Sequence, residues 1–243
     1  MEIAGKSVLV TGASGGIGLA VAQRLAGSGA RVTLAARNEA ALVDAAAQLR
    51  DAPGEVQAVR CDVTNDEDVV RAVKAATDSF GGLDIVCNNA GRAIHSPVAA
   101  LDLEAWQTIV DLDLYGPVRV MKAAVPVMRA NGGGVILNVS SGTARNVIPN
   151  LGGYASLKAA LDLLTRTARL ELAADNIRVL LIWPGRTATD FGRNALRLEV
   201  PGAPAPPRRP AAEPDTAEAV AERICWQIET EEPETAMGEP VRA

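Results

Sequence analysis

The chain has 243 residues and is 48% hydrophobic, a size and composition that fit one large α/β domain. Its formal net charge is −5 and it carries no basic run, so we expect no nucleic-acid surface. It has no signal peptide and no apolar run of transmembrane length, which predicts a cytoplasmic protein without a membrane segment. The 3 cysteines are isolated and His95 is the only histidine, so we expect a reducing compartment and no metal site.

The N-terminal segment predicts a phosphate-binding turn. Residues 7–10 read as a buried strand, and apolar residues repeat at helical spacing over 19–25. Between them lies the glycine-rich run Thr-Gly-Ala-Ser-Gly-Gly-Ile-Gly, residues 11–18. Glycines let the backbone turn sharply and approach a ligand, and a helix N-terminus offers N–H groups to an anion. We therefore expect a bound pyrophosphate here, with a glycine-rich turn that binds nothing as the alternative.

Strands and helices alternate along the rest of the chain. Strands are predicted at 31–36, 56–60, 84–87, 134–139 and 177–183, and helices at 39–50, 66–80, much of 103–128 and 153–173. Such alternation is typical of parallel strands joined by right-handed crossovers, with helices on both faces of the sheet. We predict a doubly wound, Rossmann-type α/β fold of six to seven strands, forming a single domain over residues 1–243.

A proline-rich segment interrupts the alternation. Residues 197–214 contain prolines at 201, 204, 206, 207, 210 and 214, which excludes a regular helix or a central strand. We interpret this segment either as a disordered linker or as a mobile lid over a substrate, the lid extending over 191–214. One more helix is predicted at 216–228, followed by a short seventh strand at 235–237.

Four motifs fall on the carboxyl edge of the predicted sheet, where ligands bind in this architecture. The glycine-rich turn follows the first strand, and the others are Asn88–Gly91, Ser140–Ser141 and Pro184–Gly185. Their convergence on one edge indicates a functional site.

Tyr154 and Lys158 lie four residues apart in a predicted helix and would share one face. A tyrosine has an ordinary pKa of about 10, and a nearby ammonium lowers that pKa by favouring the phenolate. Ser141 could hold a substrate oxygen by a hydrogen bond. Together these residues predict a proton-transfer site, although the pair alone would be read as a helix surface pair.

In the order of these motifs the chain resembles the short-chain dehydrogenase/reductase family over about residues 4–190. The resemblance implies that Ser141, Tyr154 and Lys158 are catalytic and that the domain binds NAD(P). The cofactor-binding residues that it implies are Gly12, Ser14, Gly15, Gly16, Ile17, Gly18, Asp62, Val63, Asn89, Ala90, Gly91, Tyr154, Lys158, Pro184, Gly185, Thr187 and Thr189.

The chain departs from the family at one catalytic position. The family usually has an asparagine in the helix before the fifth strand, where Asp113 stands here. In the family that residue helps to hold a water near the lysine, largely through its backbone carbonyl, and this role survives the change. A carboxylate near Lys158 would also favour the charged lysine. We therefore keep Asp113 as a catalytic candidate, with a tolerated substitution as the alternative.

The end of the second strand indicates the cofactor. An acid there would hydrogen-bond the ribose 2′-hydroxyl of NAD. The position is Ala36, and Arg37 follows it. A guanidinium suits the 2′-phosphate of NADP because its planar fork carries a fixed charge. We predict NADP(H) over NAD(H), with an ordinary surface arginine as the alternative.

The resemblance implies a carbonyl reductase or alcohol dehydrogenase acting on a small molecule. In reduction, Ser141 and Tyr154 would hydrogen-bond the carbonyl oxygen, and Tyr154 would donate the proton with Lys158 lowering its pKa. Two alternatives keep the fold, a non-catalytic NADP-binding regulator and an epimerase or dehydratase. The substrate pocket is expected to be apolar, and an anionic group on the substrate would find arginines at 92, 145, 186, 193 and 197.

The predicted helix around Tyr154 is apolar nearly all round, which indicates burial on more than one side. One side should cover the sheet, and the family commonly pairs this helix with a second subunit. We therefore predict a homodimer or a homotetramer. His95 is interpreted as a surface residue, with the rim of the substrate pocket as the alternative, and Trp183 as a core residue.

Overall fold

The computed structural model of the chain describes residues 1–198 and 213–239. The strands are β1 (Ser7–Thr11), β2 (Arg31–Ala36), β3 (Val56–Arg60), β4 (Ile85–Asn88), β5 (Ile94–His95), β6 (Gly134–Val139), β7 (Ile177–Trp183), β8 (Leu196–Arg197) and β9 (Glu234–Ala236). The α-helices are α1 (Gly16–Gly27), α2 (Glu39–Gln48), α3 (Asp66–Phe80), α4 (Leu103–Val110), α5 (Gly116–Ala130), α6 (Gly152–Glu171) and α7 (Ala217–Thr230).

Seven of these strands form one parallel sheet in the order β3-β2-β1-β4-β6-β7-β9. The chain first winds from β1 outward to β3 and then returns to continue on the other side from β4. This confirms the predicted doubly wound, Rossmann-type fold. The reversal between β1 and β4 opens a crevice at the carboxyl ends of the strands, the usual ligand position of such sheets.

Alternating residues of each strand face two separate cores. Val8 and Val10 of β1 pack with Leu25 of α1 and Ile224 of α7 on one face of the sheet. Leu9, between them, packs on the other face with residues of α3 and α5. This alternation follows from the two-residue repeat of a strand, and burial of both faces explains why the strand sequences are almost continuously apolar.

Two predicted elements differ from the structure. The helix expected over much of 103–128 is divided, because a π-helical turn at Asp111–Tyr115 separates α4 from α5. Arg197, expected in an irregular segment, belongs to β8, which pairs with β5 in a small second sheet. Most of the predicted lid, residues 199–212, lies outside the described residues. No helix in the described part of the chain is long and apolar enough to cross a bilayer.

Candidate active site

The glycine-rich turn between β1 and α1 is closely packed against the end of β4. A Cβ added at Gly18 would lie 2.4 Å from the Asn89 amide nitrogen and 2.4 Å from the Gly12 carbonyl oxygen. Gly12 has a φ of 67° and would place a Cβ 2.9 Å from the Ala90 Cα. Both positions therefore require glycine, because any side chain would push the turn away from β4.

Asn89 and Thr11 hold the turn in this position. The Asn89 side-chain amide donates to the Thr11 carbonyl at 2.9 Å and to the Gly12 carbonyl at 3.3 Å. The Thr11 hydroxyl accepts hydrogen bonds from the backbone N–H groups of Asn89 and Ala90. Thus two of the predicted motifs, the turn and the segment after β4, are joined by a network of side-chain and backbone hydrogen bonds.

The start of α1 has the properties of an anion site. No side chain caps it and its first turn holds no acidic residue, while Gly15 and Gly16 are exposed. The first N–H groups of a helix have no partner within the helix, and its dipole favours negative charge. This turn therefore fits a dinucleotide pyrophosphate. Ser14 and Ile17 are half-buried on either side of the two exposed glycines.

The residues proposed to contact the adenosine end follow β2 and β3. Arg37 is exposed, and within 1–198 and 213–239 its guanidinium has no hydrogen bond or ion pair. It borders a cavity of about 260 Å³ together with Thr64 and Arg92. The Asp62 carboxylate accepts from the Thr64 backbone N–H and hydroxyl at 3.0 and 2.8 Å. Val63 is buried and packs in the core.

The candidate catalytic residues come together at the ends of β6 and α6. Ser141 acts on Tyr154 and opposes the rise in its pKa that burial causes, and the Ser141 hydroxyl accepts from the Thr143 backbone N–H at 3.2 Å and from the Thr143 hydroxyl at 3.0 Å. The Lys158 ammonium lies 5.7 Å from the centroid of the Tyr154 ring and donates to the Val139 carbonyl at 3.2 Å. The predicted proximity of serine, tyrosine and lysine is therefore present in the fold.

Tyr154 and Lys158 are both buried. Burial raises the pKa of Tyr154, Lys158 opposes the rise, Asp113 adds to it, and the hydrogen bond with Ser141 opposes it. Burial alone would lower the pKa of Lys158, but Asp113 and the other nearby acids raise it above its ordinary value. Lys158 is therefore an ammonium at neutral pH.

Asp113 lies in the π-helical turn and is fully buried, with no exposed surface. Its Oδ2 is 3.1 Å from the Lys158 Nζ, and its Oδ1 accepts from the Arg92 backbone N–H at 2.8 Å. Burial raises the pKa of Asp113. Its Oδ2 has no hydrogen bond of good geometry, so the charge of Lys158 and the Oδ1 bond to the Arg92 N–H are what oppose the effect of burial on this pKa. π-Helical turns are frequent at functional sites, and this one directs Asp113 at Lys158.

The segment after β7 contacts both the glycine-rich turn and Tyr154. Gly16 would place a Cβ 3.4 Å from the Thr189 methyl group, so Thr189 lies against the glycine-rich turn. The Phe191 ring is 5.9 Å from the Tyr154 ring, centroid to centroid. The Pro184 carbonyl accepts from the Gly142 N–H at 2.8 Å, and the Thr187 hydroxyl donates to the carbonyl of the exposed Gly185 at 3.3 Å.

A buried carboxylate that sequence reasoning missed lies beside this cluster. Asp162 accepts hydrogen bonds from the Ser140 hydroxyl and, at 2.7 Å, from the Trp183 indole N–H. Burial raises the pKa of Asp162 and the two donors lower it. The available signal was an acidic residue between leucines, four positions after Lys158. Trp183 is a buried residue, as predicted.

Four of the arginines considered as anion-binding groups are already engaged. Arg145 pairs with Glu239 at 2.8 Å, and Arg193 pairs with Asp190. The remaining contacts run to backbone carbonyls, from Arg92 to Asn194 at 2.6 Å and from Arg197 to Gly192 at 3.0 Å. Arg145 and Arg193 are thus charge-paired, whereas Arg92 and Arg197 have no ion-pair partner among the described residues.

The prediction that His95 is a plain surface residue is wrong. His95 is half-buried in β5, and burial and Arg197 lower its pKa. It therefore favours the neutral, uncharged form near neutral pH.

Seven parallel strands in this order, with a glycine-rich turn at the crevice, define a Rossmann-type α/β protein. A family model described as short chain dehydrogenase matches residues 6–198, and the chain belongs to the short-chain dehydrogenase/reductase family. Members of that family are oxidoreductases that bind a nicotinamide cofactor.

Relatives of known name support the family assignment. A glycine betaine reductase of Emericella nidulans is 38% identical over 189 residues, which are 78% of this chain but only 15% of that protein. An uncharacterized oxidoreductase of Staphylococcus aureus strain MW2 is 36% identical over 184 residues, 76% of this chain and 79% of that protein. The chain therefore spans a small part of the first relative and most of the second.

Solved structures share the fold but carry different cofactors. An alcohol dehydrogenase from the archaeon Thermococcus sibiricus, complexed with 5-hydroxy-NADP, has a TM-score of 0.82 at 28% identity, covering 98% of this chain and 99% of that one. An NAD+-bound xylitol dehydrogenase has a TM-score of 0.75 at 36% identity, covering 77% and 73%. Similarity to these structures leaves the choice between NAD and NADP to the residues of this chain.

Proposed function

We propose that the protein is an NADP(H)-dependent oxidoreductase that interconverts a carbonyl and an alcohol, with Tyr154 as the general acid and base. The observation that carries this proposal is the cluster of Ser141, Tyr154 and Lys158 at the same sheet edge as the glycine-rich turn. A protein that only bound the nucleotide would have no use for a buried tyrosine whose pKa, raised by burial, is lowered by an ammonium 5.7 Å from its ring centroid and by a serine.

Each part of the site would have a separate role in this reaction. Residues 12–18 would hold the pyrophosphate, and the segments 89–91 and 184–189 would line the nicotinamide end. The bound NADP(H) would supply the hydride. Ser141 and Tyr154 would orient the substrate oxygen, and the Tyr154 hydroxyl would give its proton to that oxygen in reduction or take it in oxidation. Lys158 would stabilise the phenolate that remains.

Arg37 supports NADP(H) over NAD(H). It follows Ala36 at the end of β2, is exposed, and has no acidic partner within the described residues. A phosphate would satisfy this cation, because a guanidinium binds phosphate oxygens through two parallel hydrogen bonds. Asp62 would contact the adenine with its backbone or its free carboxylate oxygen, since the other oxygen is held by Thr64.

We propose an apolar substrate, because Phe191 lies against the Tyr154 ring and is still 39% exposed. We also propose the segment 191–214 as a substrate lid and the whole chain as one domain.

Exposed leucines on α6 support self-association. Leu163 and Leu170 are 67% and 81% exposed, and a second copy covering this face would remove them from water. We propose a homodimer or homotetramer in the cytoplasm, where reducing conditions suit the 3 buried free cysteines. A monomer mass by light scattering at micromolar concentration would contradict the assembly.

The direct test is a fluorescence titration of the purified protein with NADPH and with NADH. A broad panel of ketones and aldehydes is then added to the tighter complex. We expect selective NADPH binding, and we expect the bound NADPH to be oxidised when at least one carbonyl compound of the panel is added. NADPH binding without turnover on the whole panel would favour a regulatory NADP-binding protein instead.

A further inference from the structure

The carboxylate of Asp113 faces Lys158, the lysine that is proposed to stabilise the phenolate of Tyr154. Asp113 Oδ2 lies 3.1 Å from Lys158 Nζ, and the exposed fractions of the two side chains are 0% and 4%. A pair so deeply buried is screened little by water or salt. Asp113 therefore opposes the effect of Lys158 on the pKa of Tyr154, although the lysine has the larger influence of the two.

We propose that Asp113 offsets part of the charge of Lys158 and so weakens the stabilisation of the Tyr154 phenolate by the lysine, which sets the pH at which the tyrosine of the proposed function exchanges its proton. The inference rests on that function. It concerns a residue that acts through Lys158 and not one that touches the substrate, so Asp113 is a positioning and charge-balancing residue.

The charges around Tyr154 support this assignment. Burial raises its pKa first, Lys158 lowers it, Asp113 raises it and the hydrogen bond with Ser141 lowers it. Asp162 also acts on Lys158 and raises the pKa of the lysine. On β5, which packs against α6, the titratable group is His95, and its charged neighbour is Arg197.

An asparagine at position 113 would keep the shape and remove the charge. The amide oxygen could still accept from the Arg92 N–H, while an NH₂ group would replace the oxygen that faces Lys158. Without Asp113 the largest influence that opposes burial of Lys158 is lost, while the Val139 carbonyl, at 3.2 Å, and Asp162 still favour its charged form. The ammonium would then act on Tyr154 without a balancing carboxylate.

The chain offers a direct readout, because it has only 2 tyrosines. Tyr115 is 45% exposed and can be replaced by phenylalanine with its ring retained. In the Tyr115→Phe background, the near-ultraviolet absorbance of tyrosinate reports Tyr154 alone. The titration needs no substrate, so its failure is distinguishable from failure of the proposed function.

The experiment compares the Tyr115→Phe protein with its Asp113→Asn derivative over rising pH, with circular dichroism marking the range in which each remains folded. We expect Tyr154 to ionise at a pH lower by about one unit or more in the Asp113→Asn protein, the size of effect that a nearby charge exerts. Asp111→Asn is the matched control, because Asp111 lies in the same π-helical turn but pairs with Arg119 at 2.7 Å. In the Asp111→Asn control, Tyr154 should ionise at the same pH as in the Tyr115→Phe protein.

Two further measurements keep the test decisive. If Asp113→Asn does not fold, Asp113→Ser removes the same charge with a smaller side chain. Once a substrate is found, the pH profile of alcohol oxidation, which needs the ionised tyrosine, should move to lower pH in the variant, together with the ionisation of Tyr154. An unchanged or raised ionisation pH of Tyr154, or equal slowing of both directions with unshifted pH profiles, would overturn the proposal and leave Asp113 a structural role.

Discussion

The Trp183 indole N–H donates a hydrogen bond of 2.7 Å to the buried carboxylate of Asp162. The Ser140 hydroxyl donates to the other oxygen of the same carboxylate. Ser140 precedes Ser141, Trp183 precedes Pro184, and Asp162 is on the helix that carries Tyr154 and Lys158. The Asp162 carboxylate thus joins α6 to the ends of β6 and β7, and these three segments lead to Ser141, Tyr154, Lys158 and residues 184–189.

Replacing Trp183 by phenylalanine should destabilise the protein. The variant leaves an Asp162 oxygen buried without its donor, which costs about 1 to 3 kcal/mol of unfolding free energy. Chemical denaturation measures the loss. Trp226→Phe is the matched control, because within the described residues the Trp226 indole N–H has no hydrogen-bond acceptor. Equal stability of the two variants would show that the bond to Asp162 contributes nothing.

Alanine at Gly18 should prevent the turn from packing. Its Cβ would lie 2.4 Å from the Asn89 amide nitrogen and from the Gly12 carbonyl, and overpacking of this kind costs about 1 to 3 kcal/mol. We expect lower thermal stability and loss of dinucleotide binding by fluorescence titration. Gly27→Ala, at the other end of α1, meets nothing within 4 Å and should bind normally. Normal binding by Gly18→Ala would contradict the geometry of the turn.

Arg37→Ala should weaken NADPH binding selectively. A hydrogen bond to a charged group is worth about 1.5 to 3 kcal/mol, which corresponds to a roughly ten- to hundredfold rise in Kd. NADH affinity should change little, because NADH lacks the 2′-phosphate. Arg50→Ala removes another exposed arginine, beyond the end of α2, and serves as the control. If Arg37→Ala kept the preference of the unmodified protein for NADPH, Arg37 would not be its origin.

The sheet and the proximity of Ser141, Tyr154 and Lys158 could be predicted from the sequence, because each depends on local patterns. Apolar runs mark most strands of the sheet, although β9 (Glu234–Ala236) has none, and the spacing of Tyr154 and Lys158 places both on one helix face. The π-helical turn was not predictable, since an extra residue in a helix leaves no mark on its composition. The contacts of Asp113 with Lys158 and of Asp162 with Trp183 depend on how separate elements pack, which periodicity does not encode.

The most direct test of the central claim is the Tyr154→Phe variant, with turnover and NADPH affinity measured on the same preparation and Tyr115→Phe as the control. The account predicts that Tyr154→Phe loses turnover by roughly a hundredfold or more, because its proton donor is gone. NADPH affinity should stay within a few-fold of the unmodified protein, and Tyr115→Phe should be fully active. Retention of most of the activity by Tyr154→Phe would contradict the proposed mechanism.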